Sequence, residues 1–316
     1  MRIKRTTDME YNITKQWQDR TVKDYLYAVV GVSRSVLVHL KKKDNGILLN
    51  GKRVTVRAVL KENDILSLAM DDREDERTRS IVARDLPLSI VYEDEHLFIV
   101  NKSPNMPTHP THGHYEDTLA NALAGYVLKS GGQPAVFRAV NRLDRDTSGL
   151  VIVAKHKLAA ARLSQFLQTG RIQKQYIAVL CGAVEEDEGQ IDRPICRTAD
   201  SIITRRCCEE GQGDAALTRY KVLCRSGDHS VVLASPITGR THQLRVHFAS
   251  IGHPIVGDTL YGSASDVIGR QALHAVRLCL PHPVTEEMMD VRCELPEDMK
   301  EWQKEIEIEI ENEKNH

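Results

Sequence analysis

Residues 139–156 read AVNRLDRDTSGLVIVAKH, a polar segment that leads directly into an apolar one. The apolar run at 150–154 is rich in β-branched side chains and predicts a buried strand. If the backbone before it is extended, Arg142 and Asp144 point to one face and Leu143 points to the other. An arginine and a carboxylate then share a loop that precedes a strand, where functional residues are common. Taken alone, such a triplet is more often a surface ion pair.

Similar apolar runs lie on both sides of this segment and alternate with helical patterns. The strand-like runs cover residues 88–92, 97–102, 176–181, 217–224 and 229–235. Apolar side chains three or four positions apart predict helices at residues 117–129, 157–168 and 241–251. The pattern predicts one large sheet with flanking helices, in an α+β unit that spans residues 81–300.

A smaller unit comes first, at residues 1–70, and includes an N-terminal extension. Two short helical patterns are followed by strand-like runs at residues 47–49, 54–56 and 65–68. This order predicts a small α+β module. Residues 71–80 read DDREDERTRS and have almost no apolar content, so we expect a linker. Residues 301–316 are strongly acidic and are expected to form a tail.

The net charge of −1 hides an uneven distribution. Residues 21–70 carry nine Lys or Arg against four Asp or Glu, and a compact basic segment is typical of proteins that bind nucleic acid. The candidate RNA-binding side chains in this segment are Lys41, Lys42, Lys43, Arg53 and Arg57. The alternative is a solvated, charged face that has no partner.

Several protein classes are excluded by features that the sequence lacks. No apolar run approaches the length of about 18 residues that a membrane helix needs, so no membrane partner is expected. The amino terminus has no apolar stretch typical of a secretory signal, and we therefore expect a cytoplasmic protein. Seven cysteines without a C-x-x-C pair predict reduced thiols and no zinc site. The glycine-rich loops of nucleotide-binding proteins are absent as well.

A second polar constellation, SPITGRTHQLRVHFASIGHPIVGD, occupies residues 235–258. On a helix, Arg245 lies three residues before Phe248, so its stem can pack beside that ring while the guanidinium reaches inward. A buried arginine needs a partner that satisfies its charge, which makes Asp144 a candidate. The alternative is a solvent-facing arginine on an amphipathic helix.

These segments, in this order, resemble the RluA family of RNA pseudouridine synthases from about residue 88 to residue 299. The matching blocks are residues 101–123, 141–155, 171–182, 238–262 and 270–283. The basic first unit resembles the small RNA-binding module named after ribosomal small-subunit protein four. The resemblance implies a mixed, mainly antiparallel sheet and a monomer that acts on RNA without a metal or a cofactor. Ribosomal RNA is the favoured partner, and transfer RNA is the alternative.

The resemblance also implies roles for individual residues. Asp144 corresponds to the catalytic aspartate, and Arg142 to the residue that enters the RNA as the target uridine leaves. Tyr176 corresponds to the aromatic side chain that packs on the base, and Arg245 to the cation paired with Asp144. Lys174 lies two positions before Tyr176 in a predicted strand, so it shares a face with that ring and offers a cation for phosphate.

Two positions depart from the family pattern. Asn141 stands where the family usually has histidine, and Asp214 stands where lysine is common. Asparagine forms hydrogen bonds but cannot become cationic, so we expect the first change to affect loop support or RNA contact more than chemistry. The second change leaves open whether phosphate is bound near residue 214.

Other functions stay open on the sequence alone. The chain is alternatively a non-catalytic RNA-binding or ribosome-assembly protein, or a hydrolase that uses Asp144 and a second acid as a glycosidase pair. No comparable block holds a second acid. If the chain is a synthase, ionised Asp144 either adds to ribose carbon 1′ or removes the proton on carbon 2′. The sequence does not choose between these two routes.

Overall fold

The structure is a computed structural model, and it describes residues 8–32, 34–69, 81–132, 137–198, 201 and 203–306. The predicted linker at 71–80 lies outside the described residues, as does the part of the predicted tail after residue 306.

Fifteen strands, five α-helices and two 3-10 helices have defined bounds in the described residues. The strands are β1 Asp8–Asn12, β2 Ile47–Leu49, β3 Lys52–Arg53, β4 Ile65–Ala69, β5 Ser89–Glu93, β6 Leu97–Lys102, β7 Ser148–Ala154, β8 Gln173–Cys181, β9 Glu188–Asp192, β10 Ile195–Arg197, β11 Arg205–Cys207, β12 Leu217–Ser226, β13 His229–Pro236, β14 Leu273–Pro281 and β15 Met288–Arg292. The α-helices are α1 Val22–Ala28, α2 Arg34–Lys42, α3 Leu119–Lys129, α4 Lys157–Gln168 and α5 Gln243–Ser250. The 3-10 helices cover Lys15–Trp17 and Glu297–Met299.

The larger unit is built on one nine-stranded sheet. Its strand order is β5-β6-β7-β14-β8-β13-β12-β9, and β15 pairs with β14 along residues 277–281. The pair β7 and β14 is parallel, whereas the other pairs are antiparallel. The prediction of a mixed, mainly antiparallel sheet with flanking helices is confirmed.

The side chains of β7 alternate between two apolar cores. Val151 and Val153 face the core that contains α3, whereas Leu150 and Ile152 face the core that contains α4. Both faces of the strand are therefore covered by helices. This is why residues 150–154 are continuously apolar instead of alternating between apolar and polar.

The smaller unit has a four-stranded sheet with the order β1-β4-β2-β3, together with α1 and α2. The predicted strand at 54–56 is not formed. Asn50 and Gly51, with φ of 51° and 76°, make a two-residue hairpin turn that pairs Leu49 with Lys52. The register ends at Arg53, with one further hydrogen bond from the amide of Val54 to the carbonyl of Ile47 at 3.2 Å, and the chain turns again at residues 56–57.

The apolar core of the smaller unit continues into α4. Leu158 belongs to the same buried cluster as Leu26 and Leu37. Gly31, with φ of 68°, lies so close to Gln165 that a Cβ there would come within 2.2 Å of the amide oxygen. The smaller unit is therefore packed directly against the larger one.

The described part of the predicted tail belongs to the fold. Residues 300–306 are helical, and Trp302 is only 5% exposed in the main core. Glu305 contacts the imidazole of His229 at 2.9 Å. The predicted boundary between the larger unit and the tail, at residue 300, therefore lies too early in the chain. The acidic composition of residues 301–316 indicated an exposed tail, although this segment includes the buried Trp302. Among the helices that the structure describes, none has the length and apolarity needed to span a bilayer.

The packing around α4 predicts a stability effect. Leu158→Ala should lower the free energy of unfolding by about 2 to 5 kcal/mol, because the lost methyl groups leave a cavity between the two units. Leu128→Ala, which removes an exposed leucine from α3, should change it little. Thermal unfolding of both variants checks this. Equal midpoints would show that the two units do not share a core.

Candidate active site

A cavity of about 320 Å³ lies beside the start of β7. Its wall is formed by residues 140–144, by β8, and by residues 236–242 at the entrance to α5. This volume is within the usual range for a site that encloses a small ligand or a single nucleotide unit. The sequence-predicted residues that line the cavity are Arg142, Asp144, Lys174, Tyr176 and Arg245.

The loop that carries Asp144 is held in place through the adjacent residue, Leu143. Leu143 is buried, whereas Arg142 is exposed and Asp144 is half-buried, which is the alternation expected of an extended backbone. The hydroxyl of Thr108 donates to the carbonyl of Leu143 at 2.9 Å and accepts its amide hydrogen at 3.3 Å. Asp144 therefore faces the cavity from a backbone that is held on both sides of Leu143.

Lys102, at the end of β6, holds the far side of the same loop. Its side chain is 1% exposed, and the ammonium donates to the carbonyls of Ser103 and Met106 at 2.8 Å and of Arg145 at 3.0 Å. Burial lowers the pKa of Lys102 to about 7, against the opposing attraction of nearby carboxylates. Three carbonyls match the three donors of an ammonium, so this lysine positions the loop without reaching the cavity.

Asn141 supports the loop at its start. Its amide oxygen accepts from the amide of Ile152 at 2.8 Å, and its amide nitrogen donates to the carbonyl of Leu150 at 3.2 Å. The side chain thus continues the antiparallel pairing that residues 138–140 make with β7. At the other end, Gly149 has φ of 113°, and a Cβ there would lie 2.3 Å from the Ala275 carbonyl oxygen. Only glycine permits the close approach of β14.

Arg245 projects from α5 into the floor of the cavity, where it meets two carboxylates. Its Nε and Nη2 donate to Asp258 in a bidentate pair at 2.7 Å each, and its Nη1 donates to Asp144 at 3.3 Å. The side chain of Asp258 is fully buried. The sequence suggested Asp144 as the partner, but the closer partner is Asp258. The guanidinium bridges the two acids.

The charge state of Arg245 follows from this pairing. Burial acts to lower the pKa of Arg245, but the hydrogen bonds and charges of Asp258 and Asp144 outweigh burial and raise it. A permanent cation therefore lies next to Asp144. Its positive charge attracts the Asp144 carboxylate, which lies 3.3 Å from Nη1.

Tyr176 and Lys174 lie on the same face of β8, and both line the cavity wall. Burial and the charge of Asp144 raise the pKa of Tyr176, so its hydroxyl stays protonated. Lys174 is only 8% exposed and lies inside the cavity, not on the outer surface where a lysine would follow a phosphate backbone. This burial lowers the pKa of Lys174.

A second groove of about 350 Å³ adjoins the cavity, and Arg240 and Thr241 line both. Arg197 and Arg205, on the hairpin of β10 and β11, face this groove together with Asp214. Asp214, which stands where lysine is common in the family, is therefore an acid in a groove that three arginines line.

The basic side chains of the smaller unit do not line the cavity. Lys41, Lys42, Arg53 and Arg57 are exposed, and Lys43 is half-buried. The guanidinium of Arg53 also pairs with Asp44 at 2.7 Å on the open surface. An exposed pair of this kind contributes little and leaves Arg53 able to exchange its partner.

Sequence reasoning missed Lys102, Thr108 and Asp258. Lys102 and Thr108 lie in a block that matches the family, but their side chains act through backbone carbonyls 35 to 43 residues away. Asp258 is followed by turn residues and resembles an ordinary loop acid. The sequence did offer one indication of Asp258. A buried arginine on α5 needs more hydrogen-bond acceptors than the carboxylate of Asp144 alone supplies.

Comparisons with known proteins identify the family to which this chain is similar. A family model described as RNA pseudouridylate synthase matches residues 96–250. The chain is 40% identical to the uncharacterized RNA pseudouridine synthase YjbO of Bacillus subtilis, over 88% of this chain and 96% of that protein. It is 38% identical to the ribosomal large subunit pseudouridine synthase D of Zymomonas mobilis, over 69% and 72%. The solved structure of human RNA pseudouridylate synthase domain containing 1 superimposes with a TM-score of 0.55 at 33% identity, covering 68% of this chain and 86% of that one.

The bridge formed by Arg245 predicts a large stability effect. Asp258→Asn should lower the free energy of unfolding by about 3 to 5 kcal/mol, because the buried guanidinium loses its main counter-charge. Asp290→Asn is a matched control, since Asp290 forms the same bidentate pair with Arg277 on the surface. That variant should change stability little. Similar thermal midpoints for the two variants would contradict a structural role for Asp258.

Proposed function

The chain belongs to the family of RNA pseudouridine synthases, which isomerise uridine to pseudouridine in RNA, and on that premise we propose that Asp144 carries this reaction on ribosomal RNA. The observation that supports the assignment is the contact between Asp144 and the buried Arg245 at the floor of a cavity of nucleotide size. An ionised carboxylate with a fixed cation is what the reaction needs at this position.

The reaction breaks the bond between ribose carbon 1′ and ring nitrogen 1, turns the uracil, and joins ring carbon 5 to carbon 1′. The hydrogen on carbon 5 leaves and nitrogen 1 gains one, so no atom is gained or lost and nothing is oxidised. Asp144 acts either as a nucleophile at carbon 1′ or as a base at carbon 2′. Both routes use the carboxylate of Asp144, which accepts a hydrogen bond from Nη1 of Arg245 at 3.3 Å.

The cavity accepts the base only after it has left the RNA stack. Unstacking costs roughly a few kcal/mol. Arg142, exposed at the rim, is placed to fill the space that the uridine vacates. Tyr176 offers a ring on the wall, where stacking on the uracil compensates part of the cost. Tyr176 thus holds the flipped base, and Arg142 fills the gap that the base leaves in the RNA helix.

A carboxylate-pair glycosidase is disfavoured by the position of Asp258. A hydrolase of that kind needs a second acid free to protonate a leaving group or to activate water. Asp258 is the second acid beside Arg245, but its oxygens accept from the guanidinium and from the amides of Leu260 and Tyr261. It is buried and fully engaged, so it supports Arg245 instead of reacting.

The choice of ribosomal RNA is supported by two observations. A relative at 38% identity is named for pseudouridine synthesis in the large ribosomal subunit. The smaller unit also exposes lysines and arginines next to each other on α2 and β3, a pattern suited to the phosphates of folded RNA.

Replacing the proposed catalytic residue tests the assignment. Asp144→Asn should abolish pseudouridine formation and leave RNA affinity within a few fold, because a neutral amide keeps the shape but neither attacks nor accepts a proton. Asp146→Asn, in the same loop, should keep its turnover. Mapping pseudouridine in total RNA from cells with and without the protein identifies the substrate. Wild-type turnover by Asp144→Asn would end the assignment.

The basic cluster makes a separate prediction about affinity. Replacing Lys41, Lys42 and Lys43 by Gln should weaken RNA binding and flatten its salt dependence, because each lost phosphate contact removes about 0.7 to 0.9 from the slope of log affinity against log salt. Turnover at saturating RNA should survive. The control replaces three exposed lysines of the larger unit, Lys129, Lys300 and Lys304, by Gln. Equal slopes for the two triple variants would identify the cluster as a solvated face.

A further inference from the structure

His242 occupies an unusual backbone position beside the proposed catalytic residue. It is the residue before α5, with φ of 58° and ψ of 19°, and its side chain makes no capping hydrogen bond to the helix. Residues other than glycine rarely adopt this left-handed conformation without a local reason. The imidazole instead points to the cavity, where it lies between Tyr261 and Asp144.

The hydroxyl of Tyr261 contacts Nδ1 of His242, and this contact suits the tautomer in which Nε2 carries the hydrogen. The backbone amide of Arg205 donates to the Tyr261 hydroxyl oxygen at 2.9 Å. The hydroxyl hydrogen is then left to donate to Nδ1 of His242, 2.8 Å away. A neutral imidazole that accepts at Nδ1 carries its hydrogen on Nε2.

The surroundings keep this imidazole neutral. Burial lowers the pKa of His242, and the cations of Arg245 and Arg205 act in the same direction, whereas Asp144 and Asp258 act in the opposite one. Tyr261 is itself held in place. Its ring lies 5.1 Å from the guanidinium of Arg245, and its backbone amide donates to the carboxylate of Asp258. The orientation of the imidazole is therefore built into the site.

The donor on Nε2 faces one particular oxygen of Asp144. Nε2 lies 3.8 Å from Oδ2, and Nη1 of Arg245 reaches the same oxygen at 3.3 Å. Among the contacts of the described residues, none of the hydrogen bonds to the Asp144 carboxylate involves Oδ1. Contacts at reacting groups are often long without substrate and shorten when it binds.

We propose that His242 is a positioning residue for Asp144: its Nε2–H, oriented by Tyr261, closes onto Oδ2 when uridine enters, so that Oδ1 is presented to the ribose. The inference rests on the proposed role of Asp144. It adds a second donor to the carboxylate and assigns Tyr261 the task of fixing the imidazole tautomer.

Two substitutions at one position separate positioning from a backbone role. A glutamine amide reaches about as far as Nε2, whereas an asparagine amide reaches only as far as Nδ1 but tolerates the left-handed conformation better. His242→Asn should lower kcat by about 100-fold with KM little changed, the effect of removing one donor at a reacting centre. His242→Gln should retain more of the turnover than His242→Asn. Equal or better turnover by the asparagine variant would overturn the proposal, as would wild-type kcat in both.

The tautomer is measured directly by nitrogen NMR of the histidine rings, with the His242 signals assigned by their loss in His242→Gln. In the wild type they should show hydrogen on Nε2 only. Tyr261→Phe keeps the ring over Arg245 but should produce a mixture of tautomers and a lower kcat, whereas Tyr220→Phe, a tyrosine that packs on Phe248, should change neither. A hydrogen on Nδ1 in the wild type overturns the proposal whatever the kinetics of the variants.

The two assignments fail in different ways. If Asp144→Asn remains active, the proposed function is wrong. If Asp144→Asn is inactive and the His242 variants behave like the wild type, only the positioning role of His242 is overturned.

Discussion

A single buried guanidinium sets the charge arrangement of the site. Arg245 is held from one side by Asp258 in a bidentate pair and touches Asp144 from the other. Removing two charges from water costs several kcal/mol for each ion, and the pair is tolerated only when geometry and extra hydrogen bonds compensate. Asp258 meets this condition because its Oδ1 also accepts the amides of Leu260 and Tyr261. Asp144 has longer contacts, to Arg245 at 3.3 Å and to His242 at 3.8 Å, and is held less tightly than Asp258.

The same division between support and reaction appears in the loop that carries Asp144. Lys102 and Thr108 satisfy buried carbonyls beneath it, and Asn141 extends the pairing of β7. Each of these side chains bonds the backbone, so the carboxylate of Asp144 is left to the cavity. A site that must present one carboxylate accurately needs a fixed backbone more than additional charged groups.

The spacing of apolar residues predicted the strands that are buried on both faces and the helices that are buried on one face. Residues 150–154 and 157–168 were identified because their apolar spacing is determined by the cores on either side. Strand β14 was not predicted, because Arg277 and other polar residues interrupt its alternation where β8 and β15 pair with it. Alternation also placed Arg142 and Asp144 on one face, but no local pattern relates Asp258 to Arg245. That pairing depends on the turn after α5, which only the folded chain defines.

Helix α4 connects the two units in a way that bears on substrate selection. Leu158, near its first turn, is buried in the core of the smaller unit, and Leu167, near its last turn, lines the cavity. Leu167 lies nine positions after Leu158, a rise of about 14 Å along the helix axis. If the basic surface binds RNA as proposed, its packing on this rigid element would hold the RNA at a set distance from the cavity, whereas a freely tethered module would accept many distances. On that proposal, the selection of one uridine in a folded RNA would depend on where the helix places the second contact, in addition to what the cavity recognises in the base.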